Sequence, residues 1–520
     1  MCLAPQDTKS VAQEIVCDFT VPTNVSTVNG RYSPYTALQP GDTICISAGT
    51  RGSLGLKNFA GTSENPITVI NHGGQVVIDT ATGYGMSIAN IQHVHITGTG
   101  SADKYGFVVQ RAKTFGILDA AKPDYIEIDH IEFKNIIGYV ANVSSSIGIH
   151  ITQVATCPIP NGKNNDEWDY NGDGIINILD EVDRSNFNMH EIIIHDNYFH
   201  GSIPSDIGLS HYIGNSNYST IPYTRSCINP DGSITYGVVV VNPVIYGLHI
   251  YNEVIENTGD KAMQFGSAVS DCEINNNTFD HVAQLEMTDI GAININTGDV
   301  CDVHDNTVTN SGGNGITYSG MGGSIHDNYI SNVGTAGTYW HDGIYVDNRP
   351  SSFHHGQSLS VTNNIIINPV GYGITWAHLE GTENLIEYNT IAHPGFGVYI
   401  YKVSGANVTI RNNILVPDAG TLTPPAPTLT ATLAATDTST PKPTSTYTAT
   451  QEATATRTST LTRTPTLTSS PTQTSTLTAT STKTSVPTKT ATRTPWPTRT
   501  PTPTRTPKPC KWWQFWCYKY

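Results

Sequence analysis

Basic charge is what this sequence has least of. Lys and Arg together number 27 against 43 Asp and Glu, and only 13% of the 520 residues are charged. A surface able to neutralise a phosphate backbone needs a basic stripe, so nucleic acid is excluded as a partner. Residues 457–519 hold many of the cations and no Asp or Glu, so the remainder is more acidic than the net charge of −16 suggests. A polyanionic substrate would therefore need bridging cations. No apolar run is long enough to cross a bilayer. Residues 1–20 lack the basic-then-apolar order of a secretory signal, and the expectation is a removed leader or a Met1 that is not the natural start. Nine cysteines are too few for a disulfide scaffold in a chain of this size. Amphipathic helical periodicity is missing as well, which removes helical and leucine-rich repeats. A monomer is expected.

What is present is a recurring phrase, an apolar residue followed after two variable positions by asparagine. It reads Ile274-Asn275-Asn276-Asn277, then Val303 to Asn306, Ile325 to Asn328, Val361 to Asn364, Ile386 to Asn389 and Ile410 to Asn413, with spacings of 29, 22, 36, 25 and 24 residues between asparagines. A fixed unit with variable loops is one coil of a solenoid per repeat. After each asparagine comes a second short run rich in Ile, Val, Thr and Tyr that alternates apolar and polar residues, the pattern of a half-buried strand. The fold class predicted is all-β, a right-handed parallel β-helix over residues 34–420. Earlier coils are looser and are marked by Val94-His95-Ile96, Ile126-Glu127-Ile128, Ile192-Ile193-Ile194 and Leu248-His249-Ile250.

The asparagine column is expected to bond from coil to coil at a bend, a structural task. The His-Asp-Asn triplets beginning at His195, His304 and His326 are read the same way, as strand and turn positions. Cys272 and Cys301 fall in one column of neighbouring coils and are expected to be stacked interior thiols. Cys157 and Cys227 bracket an irregular segment and could close it with a disulfide in an oxidising compartment.

Residues 40–78 contain Pro40-Gly41-Asp42-Thr43-Ile44, Ala48-Gly49-Thr50, Gly61-Thr62-Ser63-Glu64-Asn65-Pro66-Ile67-Thr68-Val69 and Gly73-Gly74-Gln75-Val76-Val77-Ile78, short strands punctuated by turns. Here the chain resembles the secreted β-helix proteins of the pectate-lyase-like superfamily, over roughly residues 35–420. The resemblance implies a secreted or cell-surface, carbohydrate-active protein with a polysaccharide substrate.

Residues 169–180 place oxygen donors at loop positions 1, 3, 5, 9 and 12, namely Asp169, Asn171, Asp173, Asn177 and Asp180. Gly174 stands at the sharp turn, and Ile175 offers its carbonyl. This spacing wraps hard donors around one Ca²⁺. The loop resembles that of dockerin modules. No second copy follows, so a calcium-stapled insertion over residues 157–188 is expected, with cohesin binding as the alternative.

Aligned second strands suggest an outward column of Asn294, Thr317, Tyr345, Thr375 and Tyr399. It lies beside a shallow groove left by Ala292, Gly315, Gly343, Gly373 and Gly397, with Tyr401 and Trp340 nearby for sugar stacking. Asp289, Asp342 and Asp347 concentrate near it. The stretches around them look like the Asp-x-Gly-Ala-Ile and Gly-Ile-Tyr-x-Asp-Asp segments of some β-helix glycoside hydrolases, although Asn348 replaces a second Asp. Glycoside hydrolysis needs one carboxyl as acid and another as base or nucleophile, which makes these Asp residues the catalytic candidates. The alternatives are a calcium-assisted polysaccharide lyase with Lys261 or His341 as base, and a non-catalytic glycan-binding or cell-surface protein.

Residues 421–509 are Thr- and Pro-rich and predict an extended spacer. They end in residues 510–520, where Trp512, Trp513, Phe515 and Trp516 stand between Cys510 and Cys517. That tip is expected to dock on a cell-envelope component. Residues 1–33 form a separate N-terminal segment.

Overall fold

The computed structural model describes residues 15–416 apart from 82, 122, 137–145, 153–187, 215–222, 229–233, 241–243, 286–290, 297, 337–340, 348–356 and 380. The calcium loop, Cys157, the Thr/Pro-rich segment and the aromatic tip all lie outside the described residues.

The chain winds as a right-handed parallel β-helix. β-Branched side chains, stiff at χ1 and suited to a pleated surface, stack in register through its centre. One column runs Val69, Ile96, Ile128, Ile194, Ile250, Ile274, Val303, Ile325, Val361 and Ile386, and all ten are buried. A second passes through Phe133 and Phe199, whose rings stack at 4.5 Å, to Ile255, Phe279 and Val308. The loosely marked early coils thus share one core with the regular ones.

The asparagine column is a ladder. Asn306 Oδ1 accepts from the backbone N–H and the side-chain amide of Asn277 at 3.1 and 3.0 Å, and the same pair of bonds repeats from Asn306 to Asn328, Asn364, Asn389 and Asn413. Each amide also reaches a carbonyl of a preceding coil, as Asn306 does to Ile274 O at 2.8 Å. The residue before each rung turns the chain in the left-handed region, with φ of 53° to 59° at Asn276, Asp305, Asp327, Asn363, Tyr388 and Asn412. Asn and Asp tolerate that conformation best among residues with a Cβ. Ladder and corner together fix where each coil bends.

Three expectations need correction here, and one bridge is new. Cys272 and Cys301 are bridged: the parallel register sets their Cα atoms 4.5 Å apart, and they form a disulfide. Cys17 and Cys45 form another that spacing did not suggest. In the last second strand Ile374 pairs with Ile400 and Thr375 with Tyr401, so Val398 and Tyr399 lie two residues outside the predicted column. The turn at Gly397, φ 65°, displaces them, leaving Val398 exposed. Finally, the small-residue column faces inward. A Cβ on Gly343 would lie 2.4 Å from Ile366 Cγ2, and one on Gly373 would meet Ile391 at the same distance. These residues let neighbouring coils close up and leave no surface groove.

Candidate functional site

Among the described residues, most of the C-terminal candidates are buried rather than set along an open groove. Asn294 and Thr317 are buried. Asn294 donates to Gly291 O at 2.9 Å, and Thr317 Oγ1 accepts from Asn314 at 2.9 Å, so neither stands in an outward column. Asp342 is buried too: Oδ1 accepts the Tyr372 N–H at 2.7 Å, while its own N–H donates to Asn314 Oδ1 at 2.6 Å. Burial pushes its carboxyl up to about 6, against bonds from Thr375 and Tyr372 that favour the charged form. It holds the backbone of the next coil at Tyr372. His341 beside it is also buried. Lys261 lies 3.5 Å from the buried Asp260, a structural ion pair. Asp347 and Tyr345 are half-buried and adjacent, with Ser319 donating to Asp347 Oδ2 at 3.2 Å. Tyr401 is exposed and stacks on Tyr372 at 4.9 Å. Asp289 and Trp340 lie outside the described residues, as do the six calcium-loop positions Asp169, Asn171, Asp173, Ile175, Asn177 and Asp180.

Chemistry converges instead on the early coils. The strands Tyr84–Thr97, Asp124–Asp129 and Met189–His195 stack in register, with His95 beside Glu127, Thr97 beside Asp129, and Asp129 beside His195. Positions two apart on a strand share a face, so two columns of polar side chains run side by side. His95 Nε2 lies 2.5 Å from Asp129 Oδ2 and 4.0 Å from Glu127 Oε1. His195 Nε2 lies 3.0 Å from Glu127 Oε1 and 3.6 Å from Asp129 Oδ2. The other oxygen of Asp129 accepts from Thr97 Oγ1 at 2.5 Å and His130 Nδ1 at 2.8 Å, and His195 Nδ1 donates to Asp196 at 2.7 Å. Tyr251 stacks flat on the His195 ring at 4.6 Å.

Electrostatics follow from that crowding. Burial alone would raise the Asp129 carboxyl, but hydrogen bonds from His130, His95 and Thr97 hold it far below the carboxylate range. The hydrogen bond from His195 lowers Glu127 as well. Burial disfavours charge on His195, yet its bonds to Asp196 and Glu127 and the charge of Asp129 lift it to about 10.

Beside this cluster opens a groove of about 240 Å³, whose lining includes Ser63, His93, His95, Tyr125, Glu127 and Glu191. No Lys or Arg is among its lining residues. His93, Tyr125 and Glu191 occupy left-handed corners at φ 49°, 52° and 47°, where the next coil uses Gly247 at 79°. Rings of His93, Tyr125, His190 and Tyr246 stack on one another at 4.4 to 5.5 Å. Their faces are thereby occupied by each other, so a ligand meets ring edges and phenol hydroxyls. The sequence held a signal for this region: His95 and Glu127 sit at the centres of the very triplets that mark the early coils.

The family described as "Right handed beta helix region" matches residues 265–421. No curated protein matches the chain in sequence. Among solved structures, it is similar to an alginate lyase from Paenibacillus sp. str. FPU-7 at 13% identity, covering 76% of this chain and 99% of that one with a TM-score of 0.35. The lacto-N-biosidase of family GH136 from Eubacterium ramulus is also 13% identical, over 73% of this chain and 63% of that one, with a TM-score of 0.43. A PL6 family polysaccharide lyase from Pseudopedobacter saltans is 11% identical over 78% and 94%, with a TM-score of 0.39. Similarity at this level assigns no activity.

Proposed function

We propose that this chain is an extracellular carbohydrate-active protein that takes an extended, uncharged glycan into the early-coil groove and cleaves it by hydrolysis, with Glu191 as the proton-transferring carboxylate. The observation that carries the proposal is the groove itself, in which the carboxylate of Glu191 and the hydroxyl of Tyr125 stand with the imidazoles of His93 and His95. Edges and hydroxyls suit the hydroxyl groups of a sugar. The carboxylate of Glu191, with no Lys or Arg lining the groove, disfavours a uronate chain, which weighs against the lyase alternative. The bases that alternative relied on fare no better, Lys261 being ion-paired and His341 buried.

Reducing ends and absorbance from unsaturated products, followed on a panel of neutral and acidic glycans, test the proposal. Glu191→Gln should lower hydrolysis by about 10² to 10⁴ while leaving glycan binding in place. Unsaturated products would identify a lyase, and binding without turnover a glycan-binding protein. Either outcome overturns the hydrolytic reading. The Ca²⁺ proposed at residues 169–180 is checked by thermal melts, in which chelation should lower stability and Ca²⁺ returned alone should restore part of it. Removal of residues 510–520 should release the protein from the envelope component proposed as the partner of the tip.

A further inference from the structure

His95, Glu127, Asp129 and His195 do more than pair ions. A four-coordinate ion bound at about 2.0 to 2.1 Å by nitrogen and oxygen sets its ligand atoms about 3.3 to 3.4 Å apart. The four contacts between the two imidazole nitrogens and the two carboxylate oxygens measure 2.5, 3.0, 3.6 and 4.0 Å, which scatter about that separation. The ligand atoms of His95, Glu127 and Asp129 all lie within 4.8 Å of one another.

The surroundings match what a metal site requires of its outer contacts. Asp196 takes the Nδ1 proton of His195 at 2.7 Å, which turns Nε2 into the cluster as the ligating nitrogen. Thr97 and His130 occupy Oδ1 of Asp129, which leaves Oδ2 facing the imidazoles. The Asp129 side chain is 3% exposed and that of His195 12%, while those of His95 and Glu127 are 29% and 38% exposed. The cluster is anchored at depth and open on one side to an ion.

We infer that these four residues form a closed site for a divalent cation of the zinc class, binding through His95 Nε2, Glu127 Oε1, Asp129 Oδ2 and His195 Nε2. Mixed imidazole and carboxylate donors suit such an ion and are unlike the six to eight oxygens that Ca²⁺ takes. His95, Glu127 and Asp129 supply the mutually close ligand atoms and His195 Nε2, near both carboxylates, supplies the fourth, a ligand count that makes the ion a structural staple. Its position gives it something to staple. Three consecutive coils supply the ligands, and between Ile128 and Ile194, which stack directly, the chain runs 194 − 128 = 66 residues before returning. Closing that excursion, the longest between successive members of this column, carries the largest loop entropy. The site does not depend on the glycan proposal.

Full-length protein is stripped with a chelator, returned to excess Ca²⁺ so that oxygen-only sites are filled, and titrated with Co²⁺. One equivalent should develop the intense visible absorption of four-coordinate cobalt, be displaced by Zn²⁺, and raise the melting temperature. His195→Ala should weaken Co²⁺ binding at least about 100-fold, and Asp196→Asn about 10-fold. His326→Ala, which alters another copy of the same triplet, should change nothing. Glu127→Gln, a half-exposed position, carries the test if His195→Ala fails to fold. A weak six-coordinate spectrum, undiminished binding in His195→Ala or Glu127→Gln, or equal loss in His326→Ala would overturn the inference.

Discussion

His195, His304 and His326 each begin a His-Asp-Asn triplet, and the three stand in one face of the solenoid with nearly identical local geometry. In each, the following Asp sits at φ of 53° or 54° and accepts from Nδ1 at 2.7 or 2.8 Å. In each, Nε2 faces a carboxylate of the preceding coil: Glu127, Glu273 or Asp302, at 2.9 to 3.0 Å. The difference lies in what stands on the far side. His304 and His326 stack on each other at 4.8 Å and keep separate carboxylates. His195 meets a buried Asp129 and, beyond it, the second imidazole of His95. An identical motif on an identical backbone is therefore a set of surface ion pairs in the late coils and a shared centre in the early ones. Neighbouring coils, not the motif, decide which.

The largest expected effect breaks the triplet apart within one late coil. Asn328 Oδ1 accepts two bonds from Asn306, and its amide donates to Val303 O and Asn364 Oδ1, all buried. Asn328→Ala leaves several of these groups without partners at about 1 to 3 kcal/mol each, so a loss of roughly 3 kcal/mol or more is expected in denaturant unfolding. His326→Ala, two residues away, removes only half-exposed pairs and should change stability by less than about 1 kcal/mol. Comparable losses in the two variants would refute the division of labour.

A buried substitution in the ladder gives the next effect. Glu253 stands where a rung should be, accepting from Asn197 at 2.9 Å and donating its N–H to Asn277 Oδ1 at 3.0 Å. Its second oxygen lies 3.7 Å from Nε2 of His211, an interior position paired with Ile149 and Met263, and both side chains are fully buried. Burial raises Glu253 and lowers His211, so both are neutral in the fold. Below about pH 6.5 the unfolded chain protonates its histidine, and His211 makes stability rise with pH. Above that point the raised groups act, the buried carboxyls together with the ion-paired His195: the fold holds protons that the unfolded chain has released, and stability falls with rising pH by up to about 1.4 kcal/mol per unit and group. Asp299, buried and pushed up to about 8, adds to the same limb. Glu253→Gln keeps the acceptor and should remove one group's share of that alkaline slope, up to about 1.4 kcal/mol per unit, in melts from pH 6.5 to 8. An unchanged slope would show that Glu253 is ionised in the fold.

The repeating half was open to inspection in the sequence because its ladder and its β-branched column obey one spacing rule, visible in Ile274 to Asn277 and again in Ile386 to Asn389. Glu253 breaks the rule at one rung and is invisible to it. The cluster at His95, Glu127, Asp129 and His195 escaped for a different reason. Its members come from coils separated by loops of unequal length, so only the three-dimensional register sets Asp129 beside His195. Asp342 shows the converse: its neighbours in sequence look like a hydrolase segment, while a turn two strands away buries it. Local pattern carries the fold, and site membership depends on which loops intervene.

The smallest effect separates aiming from packing in the groove. His93, Tyr125 and Glu191 hold left-handed corners that Gly247 continues in the following coil. For a bulky residue this conformation costs about 1 kcal/mol or more, and glycine adopts it freely. If Tyr125 is held there only by packing, Tyr125→Gly should destabilise, because it deletes a ring stacked on His93 at 4.4 Å and on His190 at 5.4 Å. If the ring is there to face a ligand, relief of the corner should offset part of that loss, since Tyr125 is 37% exposed. The expected result is a stability change within about 1 kcal/mol, together with at least a tenfold loss of glycan affinity. A variant that melts much earlier yet binds as before would return Tyr125 to the scaffold, and with it the groove's claim over the late coils.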